Sequence, residues 1–362
     1  MEWLESLILG VVQGVTEFLP ISSDGHLSIT QHAFAWLTGS SRTGKENLFF
    51  DVMLHLGTLA AILVFYRSAI KDGIRGFLGA TDVPRGFERA SIVHAGILAA
   101  VATSPLVPFA LFLKDILENA FHSAAAAGYG FLVTAAVLLI TSKLQKNDGP
   151  KGLAETTWRD ALLIGIAQMV APFPGVSRSG LTIATALALG FSRTWAVGFS
   201  LLIAIPAISG AVVFMLKDML KSGVAETMTP DRIAQTVTAM IVAGVVGYAA
   251  ILWLVKVVRS GRLWYFSVYL VLLALAVLVA VASKGSEKGT ADASQAKQRT
   301  NPLERSAFRP DMGTSPVGEE NGFFGSLDRP LRDRKGSDDS RVESSQGLDR
   351  HDFGRRLSTS MR

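Results

Sequence analysis

The chain has no cysteine among its 362 residues and only six histidines. The first absence excludes a disulfide framework, a thiolate nucleophile and a metal site built on cysteine sulfur. Long stretches also lack charge, although 18% of the whole chain is charged. With a mean hydropathy of +0.36, the chain is more apolar than a typical soluble domain and has the composition of a membrane protein.

The apolar residues collect in runs that are long enough to cross a bilayer. A helix needs about 18–20 apolar residues to span the hydrocarbon. We therefore predict an all-α integral membrane protein with six full-length transmembrane helices, at about 49–66, 91–113, 124–142, 194–216, 233–256 and 264–283.

The composition changes sharply after Ser283. Residues 284–362 contain 15 Lys/Arg and 13 Asp/Glu, many Ser and Gly, and few large apolar side chains. Such a segment cannot bury enough surface to offset its chain entropy. We predict a membrane-embedded domain at 1–283 and a hydrophilic, disordered C-terminal tail at 284–362.

Two further apolar stretches, 3–37 and 158–190, are interrupted midway by proline and glycine. The halves on either side of "LPISSDGHLS" and "PFPGVSRSG" are too short to cross a membrane alone. We predict that each stretch forms a re-entrant helical hairpin. Irregular backbone at membrane depth must be buried in protein or line a wet cavity.

The two hairpins also resemble each other, since each has a Pro, a Ser-x-x-Gly ending and a following short helix. Three full spans separate them, so the prediction is a pair of inverted repeats, an architecture that transporters also use. Basic residues number twelve in loops 67–90, 143–159 and 256–262, whereas the loops on the other side carry six, namely Arg42, Lys45, Lys114, Lys217, Lys221 and Arg232. This bias predicts that the first three loops are cytoplasmic.

The first hairpin carries polar side chains that are costly inside a membrane. Gln13 and Glu17 lie four residues apart, on one face of a helix. An ionisable group at this depth is a functional candidate, and the alternative is a carboxylate near the interface with one hydrogen-bonded neighbour. Ser23 and His26 follow closely enough for a loop to bring them together, as a hydroxyl nucleophile and its base.

Other polar residues near this hairpin have several interpretations. Ser22 could bind substrate or cap the following helix, and Asp24 could be a cap, a metal ligand or an unused acid. Asp51 and His55 are also four residues apart on one helix face. They could line the edge of a cavity, but a helix-start acid and a satisfied core histidine explain them equally well.

The second hairpin, "GVSRSGLT", has the features of an anion site. Arg178 offers a forked guanidinium between Ser177 and Ser179, and Thr182 adds a hydroxyl. The neighbouring glycines let the backbone approach closely, and the following helix directs its free N–H groups toward the loop. The alternative is a structural ion pair between Arg178 and an acid of the first hairpin.

An acid, an imidazole, a hydroxyl and an arginine together suit phosphoryl transfer, in which a protein positions the reactants and neutralises charge. The membrane setting predicts a substrate with a phosphate head and a long apolar tail. No histidine lies between Ser177 and the tail, which excludes the class of lipid phosphatase that needs a second His after its Ser-Arg. A carrier or flippase of polyprenyl phosphates that uses the same cavity is the alternative function.

These motifs resemble those of the undecaprenyl-diphosphatase family, the bacitracin-resistance type. "QGVTEFLPISSDGHL" is similar to the first signature of the family, a Glu or Gln shortly before a second Glu and then Pro-x-Ser-Ser-x-Gly-His. "PGVSRSGLT" is similar to the second, Pro-Gly-x-Ser-Arg-Ser-Gly, and "FDVMLHLGTLAAIL" and "FSLLIAIPAISGA" also look like family segments. The resemblance covers about 1–283.

The resemblance implies hydrolysis of undecaprenyl diphosphate to the monophosphate, which recycles the lipid carrier of peptidoglycan synthesis and confers bacitracin resistance. It also implies six spanning helices with two re-entrant hairpins in inverted repeats, in the bacterial inner membrane. The implied catalytic residues are Glu17, Ser23, His26 and Arg178. The implied substrate-binding residues are Gln13, Ser22, Ser177, Ser179 and Thr182.

The resemblance leaves the nucleophile open between Ser23 and a water activated by Glu17 and His26. A divalent cation, Mg or Ca, would be held by Glu17 and Asp24, and no organic cofactor is expected. The chain departs from the family in Asp24, which replaces the usual Ser or Thr and would repel a diphosphate unless a cation or Arg178 intervenes. The expected partners are the polyprenyl diphosphate, membrane lipids and a second copy in a homodimer, with no nucleic acid.

Overall fold

A computed structural model of the chain describes residues 2–39, 44–113, 116–117, 120, 123–145, 147–222 and 229–299. Their secondary structure is helical apart from an isolated parallel bridge between Lys151 and Phe191. The helices of this described part are, in chain order, α1 (Glu2–Phe18), α2 (Ser23–Thr38), α3 (Gly44–Phe65), α4 (Arg67–Phe77), α5 (Arg89–Thr103), α6 (Leu106–Phe112), α7 (Ala124–Leu144), α8 (Trp158–Gln168), α9 (Arg178–Ala188), α10 (Arg193–Ser222), α11 (Pro230–Arg259) and α12 (Trp264–Arg299).

Six segments of the described residues are long and apolar enough to cross a membrane. Five are the continuous stretches Arg89–Phe109, Ala124–Leu144, Arg193–Lys217, Pro230–Arg259 and Trp264–Ser283. The sixth is the pair formed by Phe49–Phe65 and Arg67–Phe77, which is bent by 70° at Tyr66. Five of the six predicted spans are therefore confirmed, and the sixth, 49–66, falls within the bent pair. The protein is an all-α, multi-pass membrane protein.

The two predicted hairpins are present as pairs of short helices with a break between them. α1 ends at Phe18 and α2 begins at Ser23, and α8 ends at Gln168 and α9 begins at Arg178. Each of these helices is too short to pass as a full span. Proline in each break has no backbone N–H to donate the hydrogen bond that would continue the helix. That the hairpins enter and leave by one face of the membrane stays a prediction.

The shared Ser-x-x-Gly pattern has one structural meaning in both hairpins. The Oγ atom of Ser22 accepts a hydrogen bond from the backbone N–H of Gly25 at 3.4 Å, at the start of α2. The Oγ atom of Ser177 accepts one from the N–H of Gly180 at 3.1 Å, at the start of α9. Both serines are N-caps that satisfy an otherwise unpaired helical donor.

The first helix of each hairpin packs against a full span of the opposite repeat. α1 lies along α11, where a methyl group on Gly14 would come within 2.7 Å of the carbonyl oxygen of Ala243. α8 lies along α5, where a methyl group on Gly165 would come within 2.5 Å of the carbonyl oxygen of Ala102. These matching contacts follow the predicted repeat, and small residues allow the helix backbones to approach closely.

The tips of the two hairpins meet beside α7. A Cβ atom on Gly25 would lie 2.8 Å from the Cα atom of Gly175 and 2.7 Å from the ring of Phe131. Gly175 has a φ of +83°, in the left-handed region that favours glycine, and presses against the carbonyl of Ala127. Larger residues at either tip would force the two breaks apart.

The last helix extends beyond the change of composition at Ser283, to Arg299. The rest of the predicted tail, from residue 300 onward, lies outside the described residues. Its disorder therefore stays a prediction from composition.

Candidate active site

Glu17 is the centre of the polar cluster that the two hairpin tips form. It sits in the last turn of α1 and is 7% exposed. Its Oε1 atom accepts a hydrogen bond from Nη2 of Arg178 at 2.6 Å. Its Oε2 atom accepts from Oγ of Ser23 at 2.7 Å and from Nε2 of Gln13 at 3.1 Å. Four residues predicted from two distant motifs are thus in direct contact.

The ion pair between Glu17 and Arg178 joins positions 161 residues apart. The side chains are 5% and 16% exposed, so each charge would be costly without the other. The other guanidinium nitrogen, Nη1, is buried and has no hydrogen-bond partner within the described part of the chain. Arg178 therefore forms the structural pair and still presents a charged donor to an anion, so its two predicted roles are compatible.

Gln13 helps to hold this carboxylate in place. Its side chain is fully buried, and its amide N–H donates to Glu17. A glutamate at this position would place a second carboxylate about 3 Å away and could donate only when protonated. The amide at this position thus gives Glu17 a donor instead of a competing charge.

His26 has different neighbours from those predicted. Its Nδ1 atom lies 2.7 Å from the carbonyl oxygen of Ser22, and its Nε2 atom lies 2.8 Å from the hydroxyl of Tyr269. The ring also stacks on Tyr269 at 5.8 Å between centroids and meets Phe131 edge-on. A carbonyl can only accept, so Nδ1 carries the proton and the neutral Nε2 accepts from Tyr269. The base next to Ser23 is Glu17, not His26.

His55 occupies the place next to the acids. Its Nε2 atom lies 3.6 Å from Oε2 of Glu17 and 3.8 Å from Oδ1 of Asp24. Its Nδ1 atom lies 2.7 Å from the carbonyl oxygen of Asp51, one helical turn earlier. Nδ1 therefore donates to that carbonyl, which directs Nε2 toward the two carboxylates. The carboxylate of Asp51 accepts from Gln31 at 3.0 Å.

The remaining polar residues of the second hairpin hold the two tips together. The hydroxyl of Ser179 donates to the carbonyl of Leu19 at 3.0 Å, across the contact between the hairpins. The hydroxyl of Thr182 donates to the carbonyl of Arg178 and lies 2.7 Å from the hydroxyl of Ser200 on α10. These two side chains therefore support the loop from behind and do not face an incoming headgroup.

The cluster opens into a cavity of about 280 Å³. Six of the ten predicted site residues line it, namely Glu17, Ser22, Ser23, Asp24, Ser177 and Arg178. The other four, Gln13, His26, Ser179 and Thr182, are not part of the lining. Apolar residues of the lining come from α3, α6 and α10, for example Val52, Leu106 and Val212. The polar part of the lining thus suits a phosphate and the apolar part a hydrocarbon chain.

Two supporting residues of the site, Tyr269 and Thr134, were not indicated by any sequence motif. Tyr269 lies 243 residues from His26, and its only sequence signal is an aromatic hydroxyl in the middle of an apolar span. Thr134 is fully buried on α7. Its hydroxyl lies 3.1 Å from the carbonyl of Gly175 and accepts from the N–H of Ser177 at 3.0 Å. It therefore fixes the tip that carries Arg178.

Comparison with known proteins gives this cluster a context. A model of the family "Bacitracin resistance protein BacA" matches residues 6–276. The chain belongs to this family. It is 35% identical over 280 residues to an undecaprenyl-diphosphatase of Carboxydothermus hydrogenoformans, a match that covers 77% of this chain and 97% of that protein.

Two further relatives carry the same name. An undecaprenyl-diphosphatase of a Nocardioides species is 38% identical over 285 residues, which cover 78% of this chain and 98% of the relative. One from Korarchaeum cryptofilum is 36% identical over 280 residues, which cover 77% and 99%. These names describe a phosphatase and do not favour the carrier alternative. The family region ends at residue 276, within α12, so the predicted tail lies outside it.

Proposed function

We propose that this protein hydrolyses undecaprenyl diphosphate to undecaprenyl phosphate and inorganic phosphate. The relatives that match most of its length carry the name of that activity. The structural observation that supports it most directly is the contact of Ser23 and Arg178 with the same buried carboxylate, in the polar part of an apolar cavity. By its function, the protein recycles the lipid carrier of peptidoglycan synthesis and confers resistance to bacitracin.

The terminal phosphate of the substrate would bind at Arg178. Its Nη1 atom is a buried charged donor with no partner among the described residues, and Arg178 is also the first residue of α9. The positive end of that helix dipole and the guanidinium then act on the same phosphate. The prenyl chain would leave along the apolar walls of the cavity, toward lipid.

The hydroxyl of Ser23 is the nucleophile that the geometry favours. Its Oγ–H already donates to Glu17 at 2.7 Å, so the carboxylate can take the proton as Oγ attacks the terminal phosphorus. The new Ser23 O–P bond forms as the anhydride O–P bond breaks, and undecaprenyl phosphate leaves. Water then attacks the phosphoserine and forms a new O–P bond as the Ser23 O–P bond breaks. Glu17 returns its proton to Oγ of Ser23, and the protons of the water leave on the inorganic phosphate.

The alternative is direct attack by a water that Glu17 activates, with no phosphoserine. Both routes need the same carboxylate and the same arginine, so activity loss alone does not separate them. Trapping of radiolabelled phosphate on the protein after acid quench would support attack by Ser23. Its absence under conditions of rapid turnover would favour the water.

A divalent cation fits this site only together with the substrate. The described residues contain no group of three His, Cys, Asp or Glu side chains placed to hold a metal ion. Mg²⁺ is often bound by one or two carboxylates plus substrate phosphates, and Asp24 and Glu17 both line the cavity. These two acids would hold the ion, which would supply charge neutralisation for the diphosphate. Asp24 would then assist binding of the anion that it otherwise repels.

The test is phosphate release from a polyprenyl diphosphate by the purified protein in detergent, with and without Mg²⁺ or Ca²⁺. We expect turnover by the wild type and a loss of orders of magnitude in Ser23→Ala and Glu17→Gln. Ser104→Ala is a matched control, because this exposed serine only bonds to the backbone of its own helix. A folded wild-type protein that releases no phosphate under any of these conditions would overturn the proposal.

A further inference from the structure

A second cavity, of about 420 Å³, lies at the other end of two helices that also line the candidate active site. On α10, residues between Trp195 and Ile205 line this second cavity, whereas residues between Ala207 and Met215 line the first. On α3 the first cavity includes His55, and the second begins just after the helix, at Tyr66. Eleven residues of helix separate these two positions by about 16 Å along the axis.

The lining of this second cavity is almost entirely apolar. It is formed by α4, α5 and α10, with side chains such as Ile70, Phe77, Ile92 and Leu202. Phe77 is 49% exposed, so the rim is open on the side of α4. The described lining contains no charged residue, and the cavity therefore suits a hydrocarbon chain and not a phosphate.

Two residues of the lining carry a polar side-chain group, and the indole N–H of Trp195 donates to the hydroxyl of Thr156 at 2.9 Å. The other is Tyr66. It is 6% exposed, and its hydroxyl is buried with no hydrogen-bond partner among the described residues. Buried hydroxyls in proteins are nearly always paired, because an unpaired one loses its water without compensation. This hydroxyl marks a position for a neutral acceptor on an otherwise apolar ligand.

The depth of that acceptor in the membrane can be inferred from the position of α4. α4 leaves α3 at 70° and carries exposed Arg67 and Lys71 four residues apart, with Ile70 and Phe77 toward the cavity. Short helices with one basic and one apolar face commonly lie in the plane of the membrane interface, at the boundary of headgroups and chains. We infer this position for α4, because it turns away from the axis of α3. Tyr66 directly precedes it and is therefore at the level of lipid ester groups.

We propose that this cavity binds one acyl chain of an anionic glycerophospholipid. An ester carbonyl of the lipid accepts a hydrogen bond from the hydroxyl of Tyr66, and its phosphate lies beside the basic face of α4. A polyprenyl phosphate is a poorer fit, because with its phosphate beside the basic face of α4 it has no neutral acceptor left for the hydroxyl of Tyr66. The bound lipid fills the space between α4, α5 and α10 and stabilises their packing.

The chemistry of the lipid provides the first test. Delipidated protein is titrated with phosphatidylglycerol that has two ester-linked chains, and with the dialkyl ether analogue, which has the same headgroup and no carbonyl. Binding is followed by native mass spectrometry and by the rise in Tm. We expect the ester lipid to bind about three- to tenfold more tightly, the effect of one neutral hydrogen bond. Tyr66→Phe should weaken the ester lipid to the level of the ether lipid and leave the ether lipid unchanged.

Gly96 provides the second test. It lines the cavity, and an added Cβ atom would meet nothing within 4 Å, so Gly96→Phe can fill the space without a clash at its first atom. We expect Gly96→Phe to lose the bound lipid, and its matched control Gly96→Ala to retain it. Phosphate release in detergent by both variants serves as the check of folding.

Three outcomes would overturn the proposal. Equal affinity of the wild type for the ester and ether lipids would remove the role of Tyr66. Retention of the lipid by folded Gly96→Phe would place the lipid elsewhere on the protein. Displacement of phosphatidylglycerol by an equimolar polyprenyl phosphate, lost in Gly96→Phe, would make the prenyl lipid the occupant.

Discussion

Arg178→Lys separates the two contacts that the guanidinium can make at once. In the structure Nη2 donates to Glu17 at 2.6 Å, and Nη1 is buried without a partner in the described residues. A lysine keeps the positive charge but has a single nitrogen at the end of a flexible chain. It can pair with the carboxylate or with a phosphate, but it cannot hold both in the geometry of a fork.

The expected magnitudes differ for stability and for rate. The two side chains are 5% and 16% exposed, so removal of the charge in Arg178→Ala strands a buried carboxylate and costs about 3–5 kcal/mol of folding stability. Arg178→Lys should cost about 1 kcal/mol or less, because Glu17 keeps a cationic partner. The loss of one preorganised donor to the transition state should nevertheless lower kcat about 10²- to 10³-fold.

Thermal unfolding in detergent and phosphate release from a polyprenyl diphosphate measure the two effects on the same preparations. Arg178→Lys should unfold near the wild-type Tm and turn over slowly, whereas Arg178→Ala should be both unstable and inactive. If Arg178→Lys retained more than a tenth of wild-type kcat, the fork would have no role in the reaction. If it unfolded as early as Arg178→Ala, the charge of the pair would not be what stabilises the tips.

Three further predictions concern other residues. Tyr269→Phe removes the hydrogen bond to Nε2 of His26, so Tm should fall by the equivalent of about 1 kcal/mol; an unchanged Tm would limit Tyr269 to packing. Asp24→Ser should reduce the dependence of turnover on Mg²⁺ or Ca²⁺, and an unchanged metal requirement would contradict a role in cation binding. Asp160 lies at the loop end of α8, outside the spans. Burial of its carboxyl favours the neutral acid, but hydrogen bonds from Thr157 and the ammonium of Lys151 have the larger effect and hold the pKa of Asp160 below the usual value. Asp160→Asn should therefore lower Tm at neutral pH by the equivalent of about 1 kcal/mol, and this deficit should disappear as the pH falls through the lowered pKa; a deficit independent of pH would refute the ionic contribution.

Features that depend on neighbours in sequence were predictable from the chain alone. A span needs only a run of apolar residues, so five of the six were found, one of them with a break near Pro105. The sixth became a pair of helices bent at Tyr66, a bend that the apolar run did not reveal. The Ser-x-x-Gly repeat was visible because an N-cap is a contact within one helical turn. The family and its activity followed from two motifs, each of which is continuous in sequence.

Side-chain partners across the hairpins were decided by the tertiary structure. Ser23 and His26 are three residues apart, yet the backbone at the start of α2 directs His26 to Tyr269 and Ser23 to Glu17. Residue types and spacing show which side chains could form a hydrogen bond or ion pair, but several different pairings meet that condition equally well. The partners of His26 and Arg178 are selected by the packing of segments more than a hundred residues apart in sequence.

The sequence by itself determined a helical membrane protein, five of its six spans, its two broken hairpins and the residue types of a phosphatase site. The tertiary structure decided that Glu17 is the shared partner of serine and arginine, that four predicted residues do not line the cavity, and that Tyr66 lines a second, apolar cavity. The physical reason is the separation in sequence between the interacting residues. Apolar runs and caps are satisfied within one segment, whereas a buried charge or hydroxyl is satisfied only by what the rest of the fold brings to it.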